Sequence, residues 1–145
     1  MDKMVVTGGA GFIGSNLAEH LLGLGYHVTV IDNLSTGRAQ NLSGWSEKAA
    51  GQFQFLQTDI NETDRLRQAF QGVSCVFHLA AIPSVARSIE NPAATQTANI
   101  NGTLSVLTAA RDAGVKRVVA ASSSSIYGDD ANLPKQEDRT GRCLS

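Results

Sequence analysis

Only two cysteines, Cys75 and Cys143, occur in the 145 residues. No disulfide framework can be built from them, and a reducing compartment is expected. Cys75 sits in an apolar run and reads as a buried thiol. No block of lysine or arginine stands out and the formal net charge is −1, which argues against nucleic acid or an anionic membrane as the main partner. No apolar run approaches the roughly 20 residues of a membrane-spanning helix. Met1-Asp2-Lys3 leads directly into a strand-like run, leaving no room for a signal peptide, so a cytoplasmic protein is expected. No second His, Cys or acid stands at metal-ligand spacing from His78. That residue therefore reads as a packed structural histidine rather than a ligand or base, and no metal is expected. The remainder, 42% hydrophobic and 17% charged, fits one globular domain long enough for a real core.

What the chain does have is a pattern of glycines. Met4-Val5-Val6-Thr7 is apolar and strand-like, Gly8, Gly11 and Gly14 follow at a spacing of three, and a helical period then takes over. A strand that turns on glycines into a helix offers backbone N–H groups and the positive helix end to a phosphate. The glycines serve a tight turn, close approach of a pyrophosphate, and close packing of helix on strand. Glycines gather in any turn, but here Asp32 ends the next strand, as dinucleotide binding requires. A carboxylate there accepts both hydroxyls of an adenosine ribose and repels a 2′-phosphate, which argues for NAD over NADP. Arg38 lies near enough to bear on that choice and reads as a solvated loop residue. Asp32 as an ordinary helix cap is the less favoured alternative.

Taken in order, Lys3–Thr7 is the first strand, and a helix from about Phe12 to Leu24 carries Ile13, Leu17, Leu21 and Leu24 as its sheet-facing stripe. His27–Ile31 is the second strand, and Ala39–Gly51 a loop with a helical turn that Trp45 anchors. Phe53–Gln57 is the third strand. Asn61 is expected to cap the next helix, which turns Leu66, Ala69 and Phe70 inward. Ser74–His78 is the fourth strand, followed by Leu79-Ala80-Ala81-Ile82-Pro83, small enough in part for a flat ring or a phosphate to approach. Asn91-Pro92 starts a helix to about Ala113 with Ile100, Leu104 and Leu107 in its apolar stripe. Lys116–Ala121 is the fifth strand. Strands alternating with helices predict an α/β fold, a doubly wound parallel sheet of the Rossmann type, with ligands beyond the carboxyl ends of the strands.

With these stretches placed, the chain resembles the extended short-chain dehydrogenase/reductase family, and within it the nucleotide-sugar epimerases and dehydratases. The resemblance rests on Thr7–Gly14, Asp32-Asn33-Leu34, Asp59-Ile60, His78-Leu79-Ala80-Ala81, Asn99-Ile100-Asn101-Gly102-Thr103 and Ser122–Gly128. It implies that Gly8, Gly11, Phe12, Ile13 and Gly14 hold a pyrophosphate. Asp32, Asn33, Leu34, Ser35 and Gly37 would serve the adenosine ribose, and Asp59 and Ile60 the adenine. Leu79, Ala80 and Ala81 would line the path to the nicotinamide ribose, with Asn99 bracing the loops. Ser123, four residues before Tyr127, matches the family's catalytic Ser/Thr. Ser84, Val85 and Ser88, with Ser123 and Ser124, would face the sugar nucleotide. Ser122, Ser124 and Ser125 also have a plainer reading as a polar strand end.

Related dehydratases carry an acidic pair where this chain has Ser124-Ser125, so the resemblance favours a UDP-sugar 4-epimerase, including those that accept N-acetylated sugars. The family's base is the tyrosine of Tyr-x-x-x-Lys. Four residues after Tyr26 and Tyr127 stand Val30 and Ala131, so neither fits. Residues 1–145 are therefore expected to be an NAD-binding Rossmann domain truncated before the catalytic helix and substrate lobe, inactive alone. Its expected partner is a UDP-sugar, with a homodimer left open. A non-catalytic NAD-binding module and another nucleotide-sugar reductase or dehydratase are the alternatives.

Overall fold

The computed structural model describes residues 2–45, 49 and 51–142 of the chain. Cys143, Leu144 and Ser145 lie outside the described residues. The strands are β1 (Lys3–Thr7), β2 (His27–Asp32), β3 (Phe53–Gln57), β4 (Val73–His78) and β5 (Arg117–Ala120). They form one parallel sheet in the order β3-β2-β1-β4-β5. Helices α1 (Phe12–Gly23), α2 (Thr63–Ala69), α3 (Val85–Glu90), α4 (Pro92–Gln96) and α5 (Gly102–Asp112) connect the strands, and a π-helical turn, Thr97–Asn101, joins α4 to α5. This is the doubly wound Rossmann arrangement that the alternation predicted.

Successive residues of a strand point to opposite faces, so Val5 and Val6, both fully buried, serve two cores. On one face Val5, Ile31 and Val76 meet Leu66 and Phe70 at α2 and Val106, Ala109 and Ala110 of α5. On the other, Val6, Val28 and Val30 meet Ala18 and Leu21 of α1 together with Leu42 and Trp45. Trp45 anchors its loop as expected, edge-on to Phe53 with ring centroids 5.3 Å apart. Cys75 is a buried thiol, and burial raises its pKa against the opposing pull of Arg117.

Two helical stripes differ in part from expectation, although Leu21 is buried and Leu17 packs inward as read. In α1 the buried residues are Gly14, Ser15, Ala18 and Leu21, while Ile13 is 67% and Leu24 61% exposed. In α5 they are Gly102, Ser105, Val106, Ala109 and Ala110, while Leu104 and Leu107 are 64% and 46% exposed, as is Ile100 of the π turn at 64%. Both helices carry a stripe of small residues beside a stripe of large ones. The small stripe is the one that goes inside. A Cβ on Gly102 would come within 2.4 Å of Ile60 Cδ1.

Asn61 does not cap α2, which begins at Thr63 after Glu62. The Asn61 amide instead donates to Asp59 Oδ1 at 2.7 Å, and the Glu62 carboxylate reaches back to accept from the Thr58 hydroxyl at 2.6 Å and from Asp59 N–H at 3.1 Å. Among the strands, β5 is left most open, with Arg117, Val119 and Ala120 exposed. The helix read from Asn91 is broken into α4, the π turn and α5, with Asn91 capping as expected by accepting from Ala94 N–H at 3.0 Å.

The choice between stripes is testable in urea. Leu66→Ala should lower the unfolding free energy by about 2–5 kcal/mol, whereas Leu104→Ala should change it by less than about 0.5 kcal/mol. Comparable losses for both would mean that the large residues of α5 are core after all.

Candidate functional site

In a sheet of this order the connection after β1 runs to β2 on one side and the connection after β4 to β5 on the other, so the carboxyl ends of β1 and β4 flank the point where winding reverses. A cleft of about 430 Å³ opens there. The glycine turn forms its floor, Asp32 and Asn33 one end, Thr58, Asp59 and Ile60 the neighbouring wall, and the run from Leu79 to Pro83 the opposite side.

The floor is made by backbones in contact. Gly8 has φ +70°, and a Cβ there would sit 2.7 Å from Ala80 N. A Cβ on Gly14 would sit 2.3 Å from the Gly8 carbonyl oxygen. The first helical bond of α1 is from Ser15 N–H to the Gly11 carbonyl at 3.0 Å. The amides of Phe12, Ile13 and Gly14 precede it, belong to the group a helix start leaves without intrahelical acceptors, and their residues line the cleft. Amides so placed, at the positive end of a helix dipole, suit an anion.

At the end of β2, Asp32 is 8% exposed. Its Oδ2 accepts from Ala10 N–H at 3.0 Å and its Oδ1 from Leu34 N–H at 2.8 Å. Each carboxylate oxygen has a further lone pair for an outside donor. Leu34 adopts φ +61°, which turns its amide back onto the carboxylate. Gly37 packs against the same carboxylate. Leu34 and Gly37 thus support Asp32 and do not line the cleft, and Arg38 is exposed in the loop.

Asp59 receives the Asn33 amide at 2.8 Å and both the backbone and side-chain N–H of Asn61, at 2.8 and 2.7 Å. Burial pushes its pKa up, but these three hydrogen bonds pull harder and leave it below the ordinary aspartate value. Across the cleft, Asn99 accepts from Ile82 N–H at 2.8 Å and donates to the Ile82 carbonyl at 3.2 Å. It holds the wall without lining the cleft. His78, 5% exposed, is bonded through both ring nitrogens to Thr7 and Thr103. Burial lowers its pKa. It is the packed residue that the sequence suggested, and among the described residues no group of His, Cys, Asp or Glu could hold a metal ion.

Ser35 lines the cleft, whereas Ser84, Ser88, Ser123 and Ser124 stand apart from it. Ser84 caps α3 by accepting from Arg87 N–H at 3.2 Å, Ser88 donates to the Val85 carbonyl at 2.7 Å, and Val85 is exposed. Ser123 accepts from Ser125 N–H at 3.1 Å and caps the short 3-10 turn that begins at Ser124. Among residues to which sequence reasoning gave no role, Ile31, Thr36, Thr58, Ala98 and Ala121 also line the cleft, and Thr7 and Thr103 lie behind it. One signal was available for Thr103: it follows Asn99 by four residues, one helical turn, and so shares its face.

A model of the NAD dependent epimerase/dehydratase family matches residues 4–143. A UDP-glucose 4-epimerase of Mycolicibacterium smegmatis is 43% identical over 139 residues, which are 94% of this chain and 44% of that protein. A UDP-glucose 4-epimerase of Klebsiella pneumoniae is 32% identical over 137 residues, 93% of this chain and 99% of that one. Among solved structures, UDP-glucose-4-epimerase from Stenotrophomonas maltophila with bound NAD and formylated UDP-arabinopyranose superposes with a TM-score of 0.89. It is 31% identical and covers 100% of this chain and 44% of its own. The chain therefore spans less than half of the first relative and of the solved structure, and nearly all of the second relative.

Asp59 gives a pH test. Its depressed pKa means that the ionised carboxylate stabilises the fold above the ordinary aspartate range, and that this contribution disappears as pH falls through the depressed value. Removing one donor with Asn33→Ala should raise the Asp59 midpoint, followed by carboxyl-carbon NMR titration, and shrink the stability gained between acid and neutral pH. An unmoved midpoint would show that Asn33 contributes nothing to it.

Proposed function

The chain belongs to the NAD dependent epimerase/dehydratase family, and on that premise we propose that it is the NAD-binding part of a UDP-sugar 4-epimerase, without turnover as the 145-residue polypeptide alone. The observation that carries the reading is the pairing of a glycine cradle with a buried carboxylate. Gly8 and Gly14 leave no room for a side chain where the backbones meet, and Asp32 stands at the end of β2 with both oxygens fixed by backbone N–H groups. A dinucleotide needs this combination, amides for its pyrophosphate and an acceptor for its ribose hydroxyls. The donor set and the cradle fit the group.

In this reading the amides of Phe12, Ile13 and Gly14 hold the pyrophosphate, and Asp32 accepts from the adenosine ribose, with Asn33, Leu34, Ser35 and Gly37 shaping that end. Asp59 and Ile60 flank the adenine. Leu79, Ala80 and Ala81 line the nicotinamide-ribose side, where Asn99 fixes the neighbouring Ile82. Bound NAD supplies the hydride acceptor and donor that epimerisation at C4 through a 4-keto sugar requires. Ser123 would hydrogen-bond the sugar oxygen that loses its proton, with Ser84, Val85, Ser88 and Ser124 towards the sugar nucleotide.

A tyrosinate base needs a nearby positive charge to lower the phenol pKa. Tyr26 and Tyr127 have Val30 and Ala131 where a lysine one helical turn on would supply it. That observation favours the second reading, a binding module without catalysis, for the polypeptide as it stands.

Isothermal titration of the 145-residue protein should show NAD binding, and Asp32→Asn should weaken it by roughly 10- to 100-fold, the worth of a hydrogen bond to a charged group (about 1.5–3 kcal/mol). Proton NMR with added NAD and UDP-glucose or UDP-N-acetylglucosamine should show no galacto epimer. Conversion would mean that a base is present and the no-turnover part is wrong. Absence of NAD binding would overturn the reading as a whole.

A further inference from the structure

The hydrogen bonds around His78 settle where its proton lies. Thr103 Oγ1 donates to the Asn99 carbonyl at 2.7 Å, and a carbonyl can only accept. The single hydroxyl hydrogen of Thr103 is thereby used, so towards His78 Nε2, 3.0 Å away, Thr103 can only accept. Nε2 therefore carries a hydrogen. In a neutral imidazole the other nitrogen is then bare, and the Thr7 hydroxyl must donate to Nδ1 across 2.7 Å. The Thr7 oxygen in turn faces Ala80 N–H at 3.4 Å. Every donor in this series has one acceptor, running from Ala80 through Thr7 to one side of the ring and from the other side through Thr103 to Asn99.

The last link is a bond from a threonine hydroxyl to the carbonyl four residues back, beside the π turn. Gly102 N–H bonds to the Thr97 carbonyl, five residues back rather than four. The ladder is thus shifted where the Asn99 carbonyl takes the Thr103 hydroxyl. The Asn99 side chain then clamps both polar atoms of the Ile82 peptide, and Ile82 and Pro83 line the cleft.

We infer that His78, as the neutral Nε2–H tautomer, is a positioning residue that joins the glycine turn to Asn99 and so sets the Ile82 wall of the cleft. The inference rests on the NAD-cleft reading for the ligand it serves, but its geometry can be tested without one. In ¹⁵N-detected NMR of the unsubstituted protein, Nε2 should show the shift of a protonated ring nitrogen and Nδ1 that of a bare one. His78→Phe keeps a ring and removes both bonds, and the Ile82 amide should then exchange with solvent several-fold faster. His78→Gln returns a donor towards Thr103 and should restore its protection.

A binding ratio separates positioning from mere stability. ADP reaches the pyrophosphate and Asp32 ends only, whereas NAD also meets the Ile82 side. His78→Phe should weaken NAD by roughly 2- to 10-fold more than ADP, the range of one ordinary hydrogen bond, and His78→Gln should recover most of that ratio. An Nδ1–H tautomer, or equal losses for NAD and ADP with unchanged Ile82 exchange, would overturn the inference. If the unsubstituted chain bound no NAD, the function reading would fail, and the tautomer and the Ile82 exchange would still decide this one.

Discussion

The structure depends on one close approach of backbones, at Gly8. There the end of β1, the start of α1 and the chain leaving β4 come within a distance at which no side chain fits. The N–H of Gly8 bonds to the Ile31 carbonyl of β2 at 2.8 Å, and Leu79 N–H to the Thr7 carbonyl at 3.1 Å. The turn is thus sewn to both neighbours of its own strand. From that junction follow the direction of α1, the placing of its first amides at the cleft, and the position of the Leu79–Pro83 run. A side chain at Gly8 would have to part β1 from β4, and the cleft would lose its floor before any ligand was considered.

Close approach also explains which parts of the chain could be read in advance. The strands were legible because five short apolar runs, four of them carrying β-branched residues, are interleaved with helical patterns, and a parallel sheet buries such runs on both faces. The glycines and Asp32 were legible because each meets a requirement of the backbone or of a ribose that few other residues satisfy. The inward faces of α1 and α5 were legible only in part, through Leu17 and Leu21. Each helix has two candidate stripes, and hydrophobicity alone prefers Ile13 and Leu24, or Leu104 and Leu107, over Ala18, Ser105 and Ala109. The decision came from close contacts with neighbouring elements, Gly14 against Gly8 and Gly102 against Ile60. A small-residue stripe beside a large one is better read as a sign of close packing than as a gap in the core.

Polar side chains behind the cleft were the other hidden part. Asn61 reads as a cap, yet its amide is spent on Asp59, because the β3 exit brings that carboxylate within reach two residues earlier. Thr7, His78 and Thr103 are far apart in sequence and meet only through the β1–β4 register, which sets Thr7 directly beside His78. A buried histidine with no metal partner has to satisfy two ring nitrogens. The threonines do that and at the same time carry order from the sheet into the helix.

The two halves of the proposed site differ in how they are held, and the difference bears on which chemistry the polypeptide can perform. On the cofactor side, both carboxylates and the Ile82 peptide are fixed by neighbouring backbone and side-chain groups. Asp32 is held by the turn and its own loop, Asp59 by Asn33 and Asn61, and Ile82 by Asn99. The serines matched to sugar binding make only local bonds, Ser84 and Ser123 to amides of the turns they cap, and β5 beside them is open. A binding surface needs donors in place. A catalytic one also needs its nucleophile, base and charge fixed to about 0.5 Å, and among the described residues Ser123 bonds only to its own turn. The cleft side is therefore ordered by the fold itself, whereas the Ser123 segment is ordered by its own turn.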